Sequence, residues 1–185
     1  LGDVYKRQAL LGSDIENAIQ TFYYDADEDG YASSKILNCS NPGIGFTLTE
    51  LSIGDCDDSS NQIYPNAIEL PDGLDNDCDG LVDEGLVYEY NDNWSPVNIN
   101  GFQTDASIII TSGAAIINQN TSSNSIIINP GASLTLDEGI NITTKDATLG
   151  LILESTSSTY SSLIMEGRVS GSITYKRYIN AYTDD

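Results

Sequence analysis

Histidine is absent from this chain of 185 residues, and only seven residues are basic whereas 28 are acidic. Without histidine, the chain lacks the usual general base of serine and cysteine hydrolases and the commonest ligand of catalytic zinc. The shortage of Lys and Arg disfavours nucleic acid as a partner, because a formal net charge of −21 repels a phosphate backbone. No apolar run approaches the roughly 18 residues of a membrane-spanning helix, so none is predicted.

The acidic residues are concentrated between residues 25 and 84. This segment contains eleven Asp and four Glu against Lys35 as its only base, which gives a formal net charge of −14. Two like charges about 5 Å apart repel by roughly 3 kcal/mol at an effective dielectric near 20. We therefore expect the segment to need bound cations in order to fold, with a solvated acidic linker as the alternative interpretation.

Two stretches of this segment share one pattern, in which Asp occupies alternate positions and Gly follows the third Asp: DADEDGYAS and DNDCDGLVDE. Such carboxylates converge on a cation only if the backbone then turns sharply, as Gly permits, and the seventh residue offers its carbonyl oxygen. Because these ligands are hard oxygens, the pattern predicts two or more Ca²⁺ ions and disfavours zinc and copper. The predicted ligands are Asp25, Asp27, Asp29 and Tyr31 in the first loop, and Asp75, Asp77, Asp79 and Leu81 in the second.

Neither loop ends as an EF-hand does. The twelfth position, where an EF-hand has a bidentate Glu, is Ile36 in the first loop and Leu86 in the second. The closing ligands must therefore come from elsewhere. Asp83 and Glu84 are near enough in sequence to close the second loop, and the nearest dense source for the first is GDCDD, which contributes Asp55, Asp57 and Asp58.

The order and spacing of these motifs over residues 22–85 resemble a metal-binding motif of bacterial secreted and surface proteins, itself similar to thrombospondin type 3 calcium repeats. The matching runs are DADEDGYA, CSNPGIGF, GDCDD, YPNAIE, DGLDNDCDG and LVDEG. The resemblance implies a compact, loop-rich calcium module. It marks as ligands Asp25, Asp27, Asp29, Asp55, Asp57, Asp58, Asp75, Asp77, Asp79 and Asp83, with Glu69 and Glu84 as further candidates. Many members of that family have a Cys where this chain has Leu70 and Pro71, so the disulfide pattern is reduced.

Three cysteines, an odd number, leave at least one without an intramolecular partner. Cys56 and Cys78 each lie between two Asp residues, so two metal loops that fold side by side would bring them together, and we favour this pair. Such a bridge would stabilise the fold by roughly 3 kcal/mol and fits an oxidising compartment. A bridge between Cys39 and Cys56, or three free thiols, are the alternatives.

The composition changes after about Trp94, where eight acidic residues remain and Ile, Leu, Ser, Thr, Asn and Gly dominate. The sequence SIII, followed after two residues by Gly-Ala, begins at Ser107 and again at Ser125, which gives a sequence period of 18. This period predicts one coil of a right-handed, β-helix-like β-solenoid, with a β-sandwich as the alternative because the later segments drift from the period. The stretch also resembles the strand-rich repeats that precede the secretion tail of many Bacteroidota surface proteins.

We therefore predict a mainly β chain with four parts. Residues 1–21 are a leader or sequencing artefact plus a short helix or strand, residues 22–85 a calcium-binding module, residues 86–100 a junction, and residues 101–185 a truncated β-rich repeat domain.

The predicted function is that of a non-catalytic, calcium-stabilised structural or interaction module on the bacterial surface or outside the cell. It would act as an adhesin or as a subunit of a surface fibre, through self-association or contact with surface glycans. The alternative is a carbohydrate-active or carbohydrate-binding β-helix protein.

Overall fold

The computed structural model describes residues 19–177, and all regular secondary structure in them is β. The prediction of a mainly β fold is confirmed. Contacts divide the chain into two compact units, Leu1–Ile68 with Asn76–Asp79 and Glu69–Asp75 with Gly80–Asp185. Residues 1–18, which include most of the predicted leader or artefact, lie outside the described residues. Among residues 19–177 there is no helix of the length and apolar character needed to cross a bilayer.

The first unit is built from short strands joined by long loops. An antiparallel sheet has the strand order β3-β1-β4, and a second sheet pairs β2 with β5 in parallel. In the first sheet Tyr24, the last residue of β1, pairs with Phe46 of β4. The strands are β1 (Gln20–Tyr24), β2 (Tyr31–Ala32), β3 (Ser34–Asn38), β4 (Phe46–Thr47) and β5 (Ser52–Ile53).

In the part of the first unit that the structure describes, the hydrophobic core is small. Its buried apolar side chains among the described residues are Phe22, Tyr23, Ala32 and Ile63. A unit with so little apolar burial needs another source of stability, such as a disulfide or a bound metal.

The second unit contains the β-solenoid. One long sheet has the strand order β17-β14-β11-β8-β6-β7, and two three-stranded sheets have the orders β15-β12-β9 and β10-β13-β16. The strands are β6 (Val87–Asn91), β7 (Trp94–Ser95), β8 (Ser107–Ser112), β9 (Ala114–Ile117), β10 (Thr121–Ser123), β11 (Ser125–Ile128), β12 (Ser133–Leu136), β13 (Asn141–Thr144), β14 (Leu151–Leu153), β15 (Ser162–Met165), β16 (Arg168–Ser170) and β17 (Ile173–Tyr175).

Successive strands visit the three sheets in turn, so that β8, β9 and β10 form one coil, β11, β12 and β13 the next, and β14, β15 and β16 a third. Each strand pairs in parallel with the strand one coil away, which is the pairing of a solenoid, whereas β-sandwiches are built from antiparallel sheets. The predicted β-helix-like fold is confirmed. Burial alternates along β8, β9, β12 and β13, so alternate residues point inward. Inward residues of neighbouring coils stack, as Ile108 does on Ile126 and Ile110 on Ile128, and all four are buried.

The sequence period holds for only part of the solenoid. Ser125 pairs with Ser107, which lies one full period earlier in the chain. Leu151 pairs with Ile126, and the distance along the chain between these two residues is longer than one period. The extra residues lie in the turns between strands, while the parallel pairing is kept. This explains why the period disappears from the later sequence although the fold continues.

Candidate metal centre

The first Asp loop, residues 25–31, connects β1 to β2 and folds its main chain onto its own carboxylates. The Gly30 amide donates to Oδ2 of Asp25 at 3.3 Å. The Asp29 amide donates to Oδ1 of Asp27 at 3.2 Å, and the Tyr31 amide to Oδ1 of Asp29 at 2.7 Å. Gly30 has a φ of 95°, a left-handed conformation that glycine adopts without steric cost. The sharp turn expected after the third Asp is therefore present.

This loop brings three carboxylates together. Asp25, Asp27 and Asp29 each offer an oxygen within 4.8 Å of the other two. Each of them also has a buried carboxylate oxygen without a hydrogen-bond partner: Oδ1 of Asp25, Oδ2 of Asp27 and Oδ2 of Asp29. At the 4.8 Å limit and a dielectric near 20, each pair repels by about 3 kcal/mol. A bound cation would offset this repulsion.

Asp55 adds a fourth carboxylate to this environment from the GDCDD segment. Its side chain is 5% exposed, and its Oδ1 accepts the Asp57 amide at 2.8 Å. Its Oδ2 is buried and has no partner. Burial raises the pKa of Asp55, and the negative charges of Asp58 and Asp27 raise it further. The hydrogen bond from the Asp57 amide lowers this pKa, but the rise is larger. Burial also raises the pKa of Asp29, to which the charges of Asp27, Asp55 and Asp25 contribute, while the Tyr31 amide opposes the rise.

The other two acids of this segment, Asp57 and Asp58, have different surroundings. Asp58 bridges to the first loop, because its Oδ1 accepts the Ala26 amide at 3.3 Å and its Oδ2 accepts the Ser33 hydroxyl. Asp57 is exposed and closes its own turn, since its Oδ1 accepts the amide and the hydroxyl of Ser59. Asp58 is therefore tied to the first Asp loop, while Asp57 serves the turn that follows.

Tyr31, whose carbonyl is the predicted main-chain ligand, is held in place through its ring. The ring stacks on Tyr64 with centroids 5.1 Å apart and an interplanar angle of 11°. Together with the amide bond to Asp29, this stacking fixes the end of the loop.

The predicted disulfide is present. Cys56 and Cys78 are bonded, with Cα atoms 5.7 Å apart, and the Cys56 amide donates to Sγ of Cys78. Cys39 is free and exposed, so the alternative pairing of Cys39 with Cys56 is wrong. The bridge links the GDCDD segment to the second Asp loop within the first unit.

The second Asp loop repeats the local backbone of the first. Gly80 has a φ of 96°, against 95° for Gly30, and Cys78 has a φ of 61°, against 64° for Glu28 at the same loop position. The Gly80 amide donates to Oδ2 of Asp75 at 2.9 Å, as the Gly30 amide does to Asp25. The two loops are therefore repeats in conformation as well as in sequence.

The carboxylates of the second loop are divided between the two units. In the first unit, Asp77 and Asp79 offer oxygens within 4.8 Å of each other, and the Asp79 amide donates to Oδ1 of Asp77. In the second unit, Glu69 and Asp75 offer oxygens within 4.8 Å of each other. Leu81, whose carbonyl is a predicted ligand, has an exposed side chain, and Glu84 is half-buried.

Asp83 is a fully buried carboxylate of the second unit. Its Oδ1 accepts the Gly73 amide at 3.1 Å, and its own amide donates to Oε2 of Glu69 at 2.7 Å. Its Oδ2 and the buried hydroxyl of Tyr88 both lack a hydrogen bond of normal geometry. Burial raises the pKa of Tyr88, and the charges of Asp83, Asp72 and Glu69 raise it further. The hydroxyl therefore stays protonated beside a buried carboxylate.

Tyr88 is the residue that the sequence reasoning missed. It lies on the inward face of β6, where alternation in VYEYN places Tyr88 and Tyr90 on the same side. No local motif marks it, because its burial depends on the packing of β6 against the core of the solenoid.

The comparison with protein families supports the metal assignment for part of this region. Residues 55–84 match the family model Cu-binding_MopE, whose description is "Putative metal-binding motif". A metal-binding motif is thus confirmed within the predicted module, while the likeness to thrombospondin type 3 repeats stays a prediction. Comparisons with curated proteins and with solved structures found no match.

The donor chemistry of the site is that of a hard cation. Among the described residues, every group of side chains close enough to share a metal ion consists of Asp and Glu only. Cys56 and Cys78 are joined to each other and offer no thiolate, and the sequence contains no histidine. The family name refers to copper, but copper prefers imidazole, thiolate and thioether ligands, which this site does not supply.

Proposed function

We propose that this chain is a calcium-stabilised structural or interaction module that acts outside the cell or on a bacterial cell surface and has no catalytic activity. The observation that carries this proposal is the set of buried carboxylate oxygens without partners on Asp25, Asp27, Asp29 and Asp55. Calcium takes six to eight oxygen ligands at about 2.3 to 2.6 Å, in flexible geometry, from carboxylates and main-chain carbonyls. Magnesium favours a stricter octahedron and keeps several waters, so it suits this crowded carboxylate group less well.

The role proposed for calcium is mechanical. The described residues of the first unit include few buried apolar side chains, and the carboxylates within its first Asp loop repel one another when no cation is bound. Binding of calcium to the folded state alone therefore adds stability in proportion to the logarithm of the calcium concentration. Two or more ions are proposed because the two Asp loops share one conformation.

The extracellular location is supported by the disulfide and by the calcium concentration outside cells. Cys56 and Cys78 form a disulfide. Disulfides persist in oxidising compartments and are rare in the reducing cytoplasm. Millimolar calcium is also found outside cells, where sites of modest affinity are filled.

A non-catalytic role is supported by the structural contacts of three acidic side chains of the solenoid. Asp105 pairs with Lys145 at 2.8 Å, and Glu154 pairs with Lys176 at 2.8 Å. Asp146 accepts the amides of Thr148 and Leu149, which lower its pKa. These carboxylates support turns and coils of the scaffold.

Adhesion, or assembly into a surface fibre, is proposed from the apolar side chains that the solenoid exposes within residues 19–177. Several of them lie on β15 and β17. Met165, Ile173 and Tyr175 on them are about half exposed, at 51%, 48% and 51%. Exposed apolar side chains on neighbouring strands favour contact with another chain.

Hydrogen exchange in calcium and in EDTA tests the proposal. Removal of calcium should abolish the protection of the Gly30, Tyr31 and Gly80 amides, which depends on the Asp loops. The amides of β8, β11 and β12 serve as the internal control, because their ladder is held by the apolar core of the solenoid. Equal protection of the loops in both conditions would contradict the calcium role.

A further inference from the structure

A cavity of about 360 Å³ lies beside the first Asp loop, entirely within the first unit. One wall is the loop itself, through Asp25 and Glu28. The other side is lined by Phe46 and Thr47 of β4 and by Thr49 and Leu51, which follow it. This volume is at the lower end of the range of about 300–1,000 Å³ for small-molecule sites, so the cavity accommodates one small ring compound.

The fold holds the two walls in a fixed relation. Strand β4 pairs with β1, whose last residue is Tyr24, and Asp25 follows directly. The Asp25 amide donates to the Gly45 carbonyl at 2.8 Å, and the rings of Tyr24 and Phe46 are 4.9 Å apart. Gly45 has a φ of 82°, and a Cβ atom there would lie 2.8 Å from Cε2 of Tyr24. The close approach of the walls thus depends on a glycine at this position.

The lining combines three kinds of group. Asp25 and Glu28 provide carboxylates, Thr47 and Thr49 provide hydroxyls, and Phe46 and Leu51 provide apolar surface. The carboxylates disfavour anions. Hydroxyls and carboxylates close to an aromatic ring suit a neutral molecule that has several hydroxyl groups on one side and an apolar C–H face on the other.

The cavity is coupled to the candidate metal centre through Asp25, which belongs to both. Glu28 lies between two of the predicted ligands and has a φ of 64°, so the geometry of this wall depends on the conformation of the Asp loop. The nearby buried side chain of Asp55, with its Oδ2 unpartnered, is an independent indication that the loop encloses a cation.

From these observations we infer that the cavity between the first Asp loop and β4 binds a neutral saccharide ring, and that bound calcium is required because it orders the loop wall. This inference rests on the proposed calcium-binding function. Neutral glycans are therefore the class of ligand that the module recognises.

The test uses the full chain and two separate titrations. Isothermal calorimetry first measures calcium binding, and saturation-transfer NMR then measures binding of methyl glycosides of glucose, galactose, mannose and fucose in calcium and in EDTA. We expect calcium binding in the first titration and binding of at least one glycoside only in calcium. Thr49→Trp should fill the cavity and weaken that glycoside about tenfold or more while leaving calcium binding unchanged. Thr143→Trp places the same ring on an exposed strand position of the solenoid and should change neither titration.

The outcomes separate the two proposals. Calcium binding without binding of any glycoside would overturn the saccharide site and leave the calcium function intact. Glycoside binding that persists in EDTA, or that Thr49→Trp and Thr143→Trp weaken equally, would also overturn it. Preferential binding of a cationic probe such as arginine methyl ester in EDTA would show that the carboxylates recognise positive charge instead. Absence of calcium binding would overturn both proposals.

Discussion

Asp29→Asn tests two proposals about the first Asp loop. The first is that its carboxylates repel one another without calcium, and the second is that Asp29 is a calcium ligand. The substitution removes a charge but keeps an oxygen that can accept the Tyr31 amide, now donated to Oδ1 of Asp29 at 2.7 Å. Asp29 offers an oxygen within 4.8 Å of oxygens of Asp25 and of Asp27, so its charge should repel both when no cation is bound. At a dielectric near 20 the repulsion in each of these two pairs costs about 3 kcal/mol. The side chains are only half-buried, so water screens the charges and reduces this repulsion.

We therefore expect Asp29→Asn to stabilise the calcium-free protein by about 2 kcal/mol, which corresponds to a rise in melting temperature of about 10 °C for a unit of this size. In calcium the same change replaces a charged predicted ligand by a neutral oxygen, which weakens the site. A tenfold to hundredfold weaker site reduces the stability gained from calcium by about 1.4 to 2.8 kcal/mol.

Thermal unfolding followed by circular dichroism, in EDTA and in millimolar calcium, measures both effects. Asp137→Asn is the matched control, because Asp137 is an exposed acid of the solenoid and its replacement should change neither value. A lower melting temperature of Asp29→Asn in EDTA, or an unchanged response to calcium, would refute the repulsion and ligand roles respectively.

Four further predictions concern pH, the solenoid core, the disulfide and assembly. The folded-state pKa values of Asp29 and Asp55 are raised above the ordinary 3.8, so the folded protein without calcium binds protons more readily than the unfolded chain, and its stability should rise as the pH falls from neutral towards those values. In calcium, the stability should instead decrease as the pH falls, because protons compete with calcium for the carboxylates. Parallel pH dependences of stability in calcium and in EDTA would contradict this prediction. Leu134→Ala, at a fully buried position of the solenoid, should cost about 2 to 5 kcal/mol of unfolding free energy equally in calcium and EDTA, whereas a calcium-dependent cost would link the core to the metal. Replacement of both Cys56 and Cys78 by Ser should cost about 3 kcal/mol by denaturant unfolding, while Cys39→Ser should have no effect on monomer stability. Light scattering should show multimers or filaments in millimolar calcium that dissociate on chelation, and Ile173→Lys, at a half-exposed position on β17, should weaken them. A monomer in both conditions would refute the fibre role.

The metal loops could be predicted from sequence because their information is local. Alternate Asp residues followed by Gly define the conformation of a single short loop, and Gly30 and Gly80 have the left-handed φ that the pattern requires. The Cys56–Cys78 bridge followed from the same repeat, since each cysteine lies between two Asp residues.

The solenoid could be predicted only where the sequence repeats at a constant spacing. Ser107 and Ser125 begin the two copies of the repeat and pair directly, but later coils contain longer turns, which a sequence period does not reveal. Stacking of Ile and Leu tolerates these insertions, because the inward positions are fixed by strand pairing and not by the spacing between strands.

The cavity beside the first loop could not be predicted. It depends on the pairing of Tyr24 with Phe46, two residues from different parts of the chain, and on the close approach that Gly45 allows. The same holds for Tyr88, whose buried hydroxyl next to Asp83 results from the packing of β6 and not from a local motif.

The most direct test of the calcium assignment is native mass spectrometry of the full, unreduced chain titrated with calcium and, separately, with copper(II). The Asp loops and their oxygen-only ligands predict that two or more calcium ions bind per chain and that equimolar copper does not displace them. Asp27→Ala and Asp77→Ala, which remove a side-chain oxygen ligand, should each weaken calcium binding. A chain that takes up copper in preference to calcium, or that binds no calcium at millimolar concentration, would contradict the assignment.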